Sequence, residues 1–357
     1  MPRGVEKTVE TAVGPAPRAN PDLVGHEAAE KTLRRLAEAG RLPHALLLCG
    51  PRGIGKATLA FRLARFVLAP PEARSAPEGG LAIDPESGVF RRAAAGGHAD
   101  LLTVEREWDP RQRRLRGEIV VEDAREIGRF LHLTAAEGGW RIVVVDGAEE
   151  MNRNAANALL KIVEEPPARA LLLLVSHNPG LLLPTIRSRC RRFALDPLPA
   201  EVTARLLAQH RPDLGAAERE TLTGLCGGSI GRVLELADAG GAALHRSLTE
   251  IVGSAPQLDA NRLHELADRL ARRDAEAAYR AAADLLLLLL AGMAKTAAGG
   301  DGSGENAVRR VASRADGARW AALRAEIADS FAQTDALNLD KKQALLGAFF
   351  AIAELSR

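Results

Sequence analysis

The sequence predicts a three-layer α/β domain with a parallel sheet in its first half, followed by helices alone. Three observations carry this. Short apolar runs alternate with stretches of helical spacing as far as residue 195. One of those runs leads directly into a glycine-rich turn and then a helix. After Pro197-Leu198-Pro199 the strand signal vanishes, and Ala/Leu/Arg/Glu stretches, which lose little side-chain entropy in a helix, take over.

Residues 1–22 lack periodicity and read as a loose N-terminal arm. Over 27–39 the apolar positions Ala28, Leu33, Leu36 and Ala37 fall on one helical face, and Gly40 ends the helix. Residues 45–49 are a short buried strand, and 56–68 resume helical spacing until Pro70-Pro71. Residues 70–100, rich in Gly, Ala and Pro, read as an insertion or flexible loop. A second strand is expected at 101–104, an exposed charged stretch at 106–116 and a helix over 122–133. The strongest strand is 141–146, which ends in an acid. A helix over 154–165 stops at Pro166-Pro167, a buried strand follows at 171–175, and 192–194 supply a last short strand. The expected organisation is an arm (1–22), an α/β nucleotide-site domain (23–195), a small helical lid (196–245) and a helical C-terminal domain (246–357), the last broken by the Gly/Asp/Ser stretch 299–304.

The bulk numbers narrow the function. A chain of 357 residues is too long for one ordinary core. With 48 basic against 46 acidic residues it lacks the basic excess of a protein that grips DNA alone. Its three cysteines, Cys49, Cys190 and Cys226, are scattered, so no disulfide framework or four-cysteine zinc site can be built, and a reduced, cytoplasmic setting is the natural expectation. Arg3 and Lys7 are not followed by the apolar stretch of a signal peptide. The most apolar run, 285–294, is half the roughly 20 residues that span a bilayer, so a buried helix and no membrane partner are expected.

Gly50-Pro51-Arg52-Gly53-Ile54-Gly55-Lys56-Ala57-Thr58 matches G-x-x-x-x-G-K between a strand and a helix. Glycines let backbone amides turn inward, the helix N-terminus adds partial positive charge, and Lys56 would reach the outer phosphates of a nucleotide. A chance glycine-rich turn is the bland alternative. One position departs from the pattern. The hydroxyl that binds Mg²⁺ should follow the lysine, but Ala57 stands there, and Thr58 is rotated by about 100° on the helix. The loop can take ATP, while ordered Mg²⁺ is disfavoured. Asp146 sits where a second acid would hold the metal, or it simply caps the next turn. Glu149 and Glu150 come two and three residues after Gly147 and are too late to replace a glutamate at that place.

Residues 157–167, Asn-Ala-Leu-Leu-Lys-Ile-Val-Glu-Glu-Pro-Pro, resemble the signature of clamp-loader AAA+ subunits of bacterial DNA polymerase III. Ser188-Arg189-Cys190 resembles their SRC motif, residues 40–45 their lead into the phosphate loop, and 337–342 the last helices of the stator type. In an AAA+ ATPase the residue after the strand-end acid is a water-polarising glutamate; here it is Gly147. The resemblance implies an AAA+ P-loop domain, a lid and an all-α collar. It implies a stator subunit of a heteropentamer with gamma/tau and delta subunits, acting on a sliding clamp and primed DNA. Such a chain belongs to a DNA-synthesising holoenzyme and is itself a weak or inactive ATPase. Arg189, with Ser188 beside it, would be an arginine finger presented to a neighbour's nucleotide; read without the family it is one surface arginine among Arg187, Arg191 and Arg192. The family's zinc module would fall within 69–100, where there is no cysteine, so no zinc is expected and His98 reads as a loop residue. Arg232 lies one place late for a sensor-2 arginine, and Ser176-His177-Asn178 falls in the sensor-1 region. Two alternatives stay open: an active gamma/tau-type ATPase, against which Ala57 and Gly147 speak, and an AAA+ scaffold outside replication, which would need no finger.

Overall fold

The computed structural model describes residues 15–74, 79–109, 114–137, 139–300 and 305–357. The chain divides into two compact units. One holds the residues up to His210 together with Cys226–Arg232, and the other holds Arg211–Leu225 and Val233–Arg357.

In the first unit, α1 (Glu27–Glu38) leads to β1 (Ala45–Cys49) and α2 (Lys56–Leu68). Then come α3 (Gly88–Ala94), β2 (Leu101–Val104) and a small hairpin of β3 (Trp108–Asp109) and β4 (Arg114–Leu115). After these follow α4 (Val121–His132), β5 (Arg141–Asp146), α5 (Arg153–Glu164), β6 (Ala170–Ser176), α6 (Pro184–Arg189), β7 (Arg191–Ala194) and α7 (Ala200–His210). The main sheet has the order β2-β5-β6-β1-β7, all parallel. Its central strands are buried on both faces, which is why ALLLC, RIVVV and ALLLLVS read as unbroken apolar runs.

The pleat sorts those runs onto two faces. Leu46, Leu48, Ile142, Val144, Leu171 and Leu173 pack with Leu33, Leu59, Leu63 and Phe66 of α1 and α2. Leu47, Val143, Val145, Leu172 and Leu174 pack with Ile127, Leu131, Leu159, Val163 and Ile186 of α4, α5 and α6. The register aligns Cys49 with Ser176 and Asp146 with Val175, so the chain leaves β1, β5 and β6 along one edge of the sheet. Ligands of open parallel sheets bind at such carboxyl edges.

Two expectations need correcting. Residues 70–100 are not merely a flexible loop: α3 lies there, and Val89 and Phe90 join Leu81 and Ile83 in the core. The arm is also not loose where it is described. The Arg65 guanidinium donates to the Arg18 and Asn20 carbonyls, each at 2.6 Å, and Arg62 donates to Pro21. Arg62 is also paired with Glu30 at 2.5 Å, both side chains being buried. Residues 1–14 lie outside the described part.

The second unit is helical: α8 (Ala216–Leu225), the end of α9 (Ile230–Asp238), α10 (Gly241–Gly253), α11 (Ala260–Leu270), α12 (Glu276–Ala297), α13 (Asn306–Ala312), α14 (Gly317–Leu337) and α15 (Lys341–Leu355). The apolar run read at 285–294 is the centre of α12, which by length and composition alone could cross a membrane. Its Tyr279, Leu285, Leu286, Leu290 and Met293 are instead buried within the unit, where Tyr279 meets Phe331 of α14 edge to face.

Candidate functional site

The loop 50–55 leaves β1 and enters α2, whose first-turn amides have no partner inside the helix and face the loop. Gly50, Gly53 and Gly55 all have positive φ, at 148°, 76° and 101°. At Gly53 the need for glycine is also steric, because a Cβ would lie 2.5 Å from the Ser229 hydroxyl. Lys56 is only 3% exposed. Its ammonium donates to the Pro51 carbonyl at 2.5 Å, and burial lowers its pKa to about 8 against the pull of Asp146 and Glu149.

A second segment of the same unit braces this loop. The Ser229 hydroxyl donates to the Arg52 carbonyl at 2.7 Å and accepts from the Arg232 amide at 3.2 Å. The Gly231 amide donates to the Gly53 carbonyl at 2.9 Å. No pattern in the sequence tells that Ser229 meets a residue 177 positions away.

The acids that follow β5 have separate partners. Asp146 ends β5, and its carboxyl is pushed up to about 6, first by burial and then by Glu105. Gly147 follows with φ 75°, and a Cβ there would lie 2.7 Å from the Glu150 carboxylate. Neither later acid takes the missing glutamate's place. Glu149 accepts from the backbone amides of His177 and Asn178 at 2.7 and 3.1 Å, and Glu150 pairs with Arg106 at 2.7 Å. Burial opposes ionisation of Glu149, but the hydrogen bonds from its own and the His177 backbone outweigh it and lower its pKa. Sequence reasoning missed this role: Glu149 anchors the segment that follows β6 at His177 and Asn178.

These residues fit a phosphate better than a metal. The turned glycines, the α2 N-terminus and Lys56 form a donor set for phosphate oxygens. Ala57 offers no side-chain oxygen, and Thr58 lies on the buried side of α2 at 7% exposure. His98 is buried, with Nδ1 accepting from the Asp100 amide at 3.1 Å. Among the described residues no cluster of three or more His, Cys, Asp or Glu could hold a metal ion.

Gly50, Gly53, Gly55, Lys56, Ala57, Thr58 and Asp146 are thus gathered at one edge of the sheet. Ser188 and Arg189 are not part of that cluster. They close α6, where Ser188 donates to the Thr185 carbonyl at 3.1 Å. The Arg189 guanidinium donates to the same carbonyl at 3.2 Å and pairs with Glu164 of α5 at 2.9 Å, its side chain 41% exposed. Cys190 points inward, and burial pushes its thiol up to about 11, so it packs rather than reacts.

Residues 25–199 match the family model described as DNA polymerase III, delta subunit. The delta' subunit of Pseudomonas aeruginosa is 42% identical over 187 residues, 52% of this chain and 53% of that one. Over residues 25–199, just under half of its length, the chain is similar to delta-type subunits of DNA polymerase III. A delta' subunit of Escherichia coli is 34% identical over 172 residues, 48% of each chain. The DNA polymerase III gamma/tau subunit of Mycobacterium bovis is 30% identical over 272 residues, 74% of this chain and 45% of that one. The chain spans about half the length of the curated relatives it matches.

Proposed function

We propose that this chain is the delta-prime, or stator, subunit of a DNA polymerase III clamp loader, helping to place a sliding clamp on primed DNA. In this reading its own phosphate loop is secondary, and Arg189 acts in trans on the nucleotide of a gamma/tau-type neighbour. One observation carries it: both acids after Gly147 are committed elsewhere, Glu149 to backbone amides and Glu150 to Arg106, while Arg189 stands exposed at the end of α6. A guanidinium brought against a transferring phosphoryl group stabilises its developing charge, by roughly 10³–10⁵ in small GTPases. A subunit that supplies only this group can lose its own hydrolysis and still be required.

The same reading divides the chain into the nucleotide-site domain 23–195, a lid at 196–245 and a collar at 246–357 that joins sister collars in a heteropentamer with gamma/tau and delta subunits. It places the complex in the cytoplasm. ATP would bind here through the loop and Lys56, without well-ordered Mg²⁺ because Ala57 has no oxygen to offer.

The test is DNA- and clamp-stimulated ATP turnover by the reconstituted loader, with this chain as wild type, Arg189→Ala or Lys56→Ala. Arg189→Ala is expected to leave assembly intact and slow turnover at least tenfold, with Lys56→Ala close to wild type. A silent Arg189→Ala removes the trans role, and a loader disabled by Lys56→Ala makes the chain a working ATPase of the gamma/tau type.

A further inference from the structure

Three motifs singled out in the sequence converge on Arg189. His44, from the lead into the phosphate loop, has Nε2 at 3.0 Å from the Val163 carbonyl, in the last turn of α5. That turn belongs to the 157–167 signature, and its next residue, Glu164, pairs with Arg189 at 2.9 Å. Val163 is itself in the core beneath the sheet, so the turn that carries Glu164 is fixed on one side by packing and on the other by His44. Nothing in the proposed function so far uses Glu164.

We propose that Glu164 is the positioning residue of the finger, which rests on the reading of Arg189 as a trans group. The guanidinium is held at two points, the Glu164 carboxylate and the Thr185 carbonyl. It has five N–H donors, so donors remain for an incoming phosphate. A long side chain ordered before its neighbour arrives loses less freedom at the moment of reaction. Structural support alone is a poor account of the pair: both side chains are over 40% exposed, at 41% and 45%, and exposed ion pairs add little to stability. The pair joins the ends of two helices, so its effect falls on where the guanidinium stands.

The experiment uses the complete loader and compares wild type, Glu164→Ala, Glu164→Gln, Arg189→Ala and the double change Glu164→Ala with Arg189→Ala. Turnover is read as kcat and KM for ATP, and co-elution confirms assembly. Positioning predicts that Glu164→Ala lowers kcat by about two- to fivefold, the scale set by one exposed ion pair, with KM unchanged. Glu164→Gln, which keeps an oxygen for the guanidinium, should recover most of the loss. The double change should be no slower than Arg189→Ala alone, because the effect passes through the arginine. If Arg189→Ala is slow but Glu164→Ala matches or exceeds wild type, positioning is wrong and the finger stands. An additive double change also overturns it. If Arg189→Ala is itself silent, the finger reading fails and this inference falls with it.

Discussion

Lys56 is a charged group that the isolated fold would be better without. Burial brings its ammonium from the ordinary lysine value of 10.5 to about 8, with the favourable pull of Asp146 and Glu149 already included. At about 1.4 kcal/mol per pH unit the charged form costs the fold about 3 kcal/mol, which solvent screening at the loop reduces to about 2. The sign follows from proton counting. The folded pKa lies below the unfolded one, so the cost is full below about 8 and disappears as pH rises toward 10.5. Lys56→Met keeps most of the unbranched side chain and removes the charge. At pH 7, without nucleotide, the variant should be about 2 kcal/mol more stable, which raises the melting temperature of the first unit by about 4–8 °C. The assay is a calorimetric scan of both proteins at pH 7 and at pH 10. The gain should be largest at pH 7 and mostly gone at pH 10. A variant that melts lower at pH 7, or whose gain does not change with pH, would refute the reasoning. The cost has a functional sense, because it is what a bound anion would offset.

Other expected outcomes bear on the same frame. Asp146→Asn removes a carboxyl whose folded pKa is raised to about 6, so it should stabilise the chain by about 2–3 kcal/mol above about pH 6 and have almost no effect below about pH 3, as read by urea titrations at both values. Gly53→Ala puts a methyl 2.5 Å from the Ser229 hydroxyl at a φ of 76°, and about 2–3 kcal/mol should be lost in the same assay. Glu30→Ala leaves the buried Arg62 guanidinium without its carboxylate and should cost about 3–5 kcal/mol; a loss below about 1 would mean that the Pro21 carbonyl suffices.

The sheet was legible because its central strands are buried on both faces, so their sequences carry no polar interruption. The strand at 141–146 and the helix at 56–68 coincide with the structure for this reason, the latter because Gly55 and Pro70 bound it sharply. The helix Gly88–Ala94 was hidden because it is two turns long and surrounded by glycines, and only Val89, Phe90 and Ala93 are buried. The hairpin at Trp108–Asp109 and Arg114–Leu115 escaped because two-residue strands set up no alternation that could be recognised. At the site, residue identities were readable and their commitments were not. Ala57 and Gly147 announce missing groups by position, whereas the capture of Glu149 by the His177 and Asn178 amides depends on two strand ends that meet only in the fold. The Glu164–Arg189 pair is likewise a property of how α5 and α6 end.

Gly147 limits what a single substitution can do at this edge of the sheet. Its backbone is left-handed, and the space beside it is filled by a carboxylate that Arg106 already holds. A glutamate placed at 147 would therefore meet an unfavourable backbone and a like charge together. Even if it were accommodated, Ala57 would still supply no oxygen to a metal. On the proposed reading, one substitution at 147 would therefore not make this edge hydrolytic, because positions 57 and 150 would also have to differ.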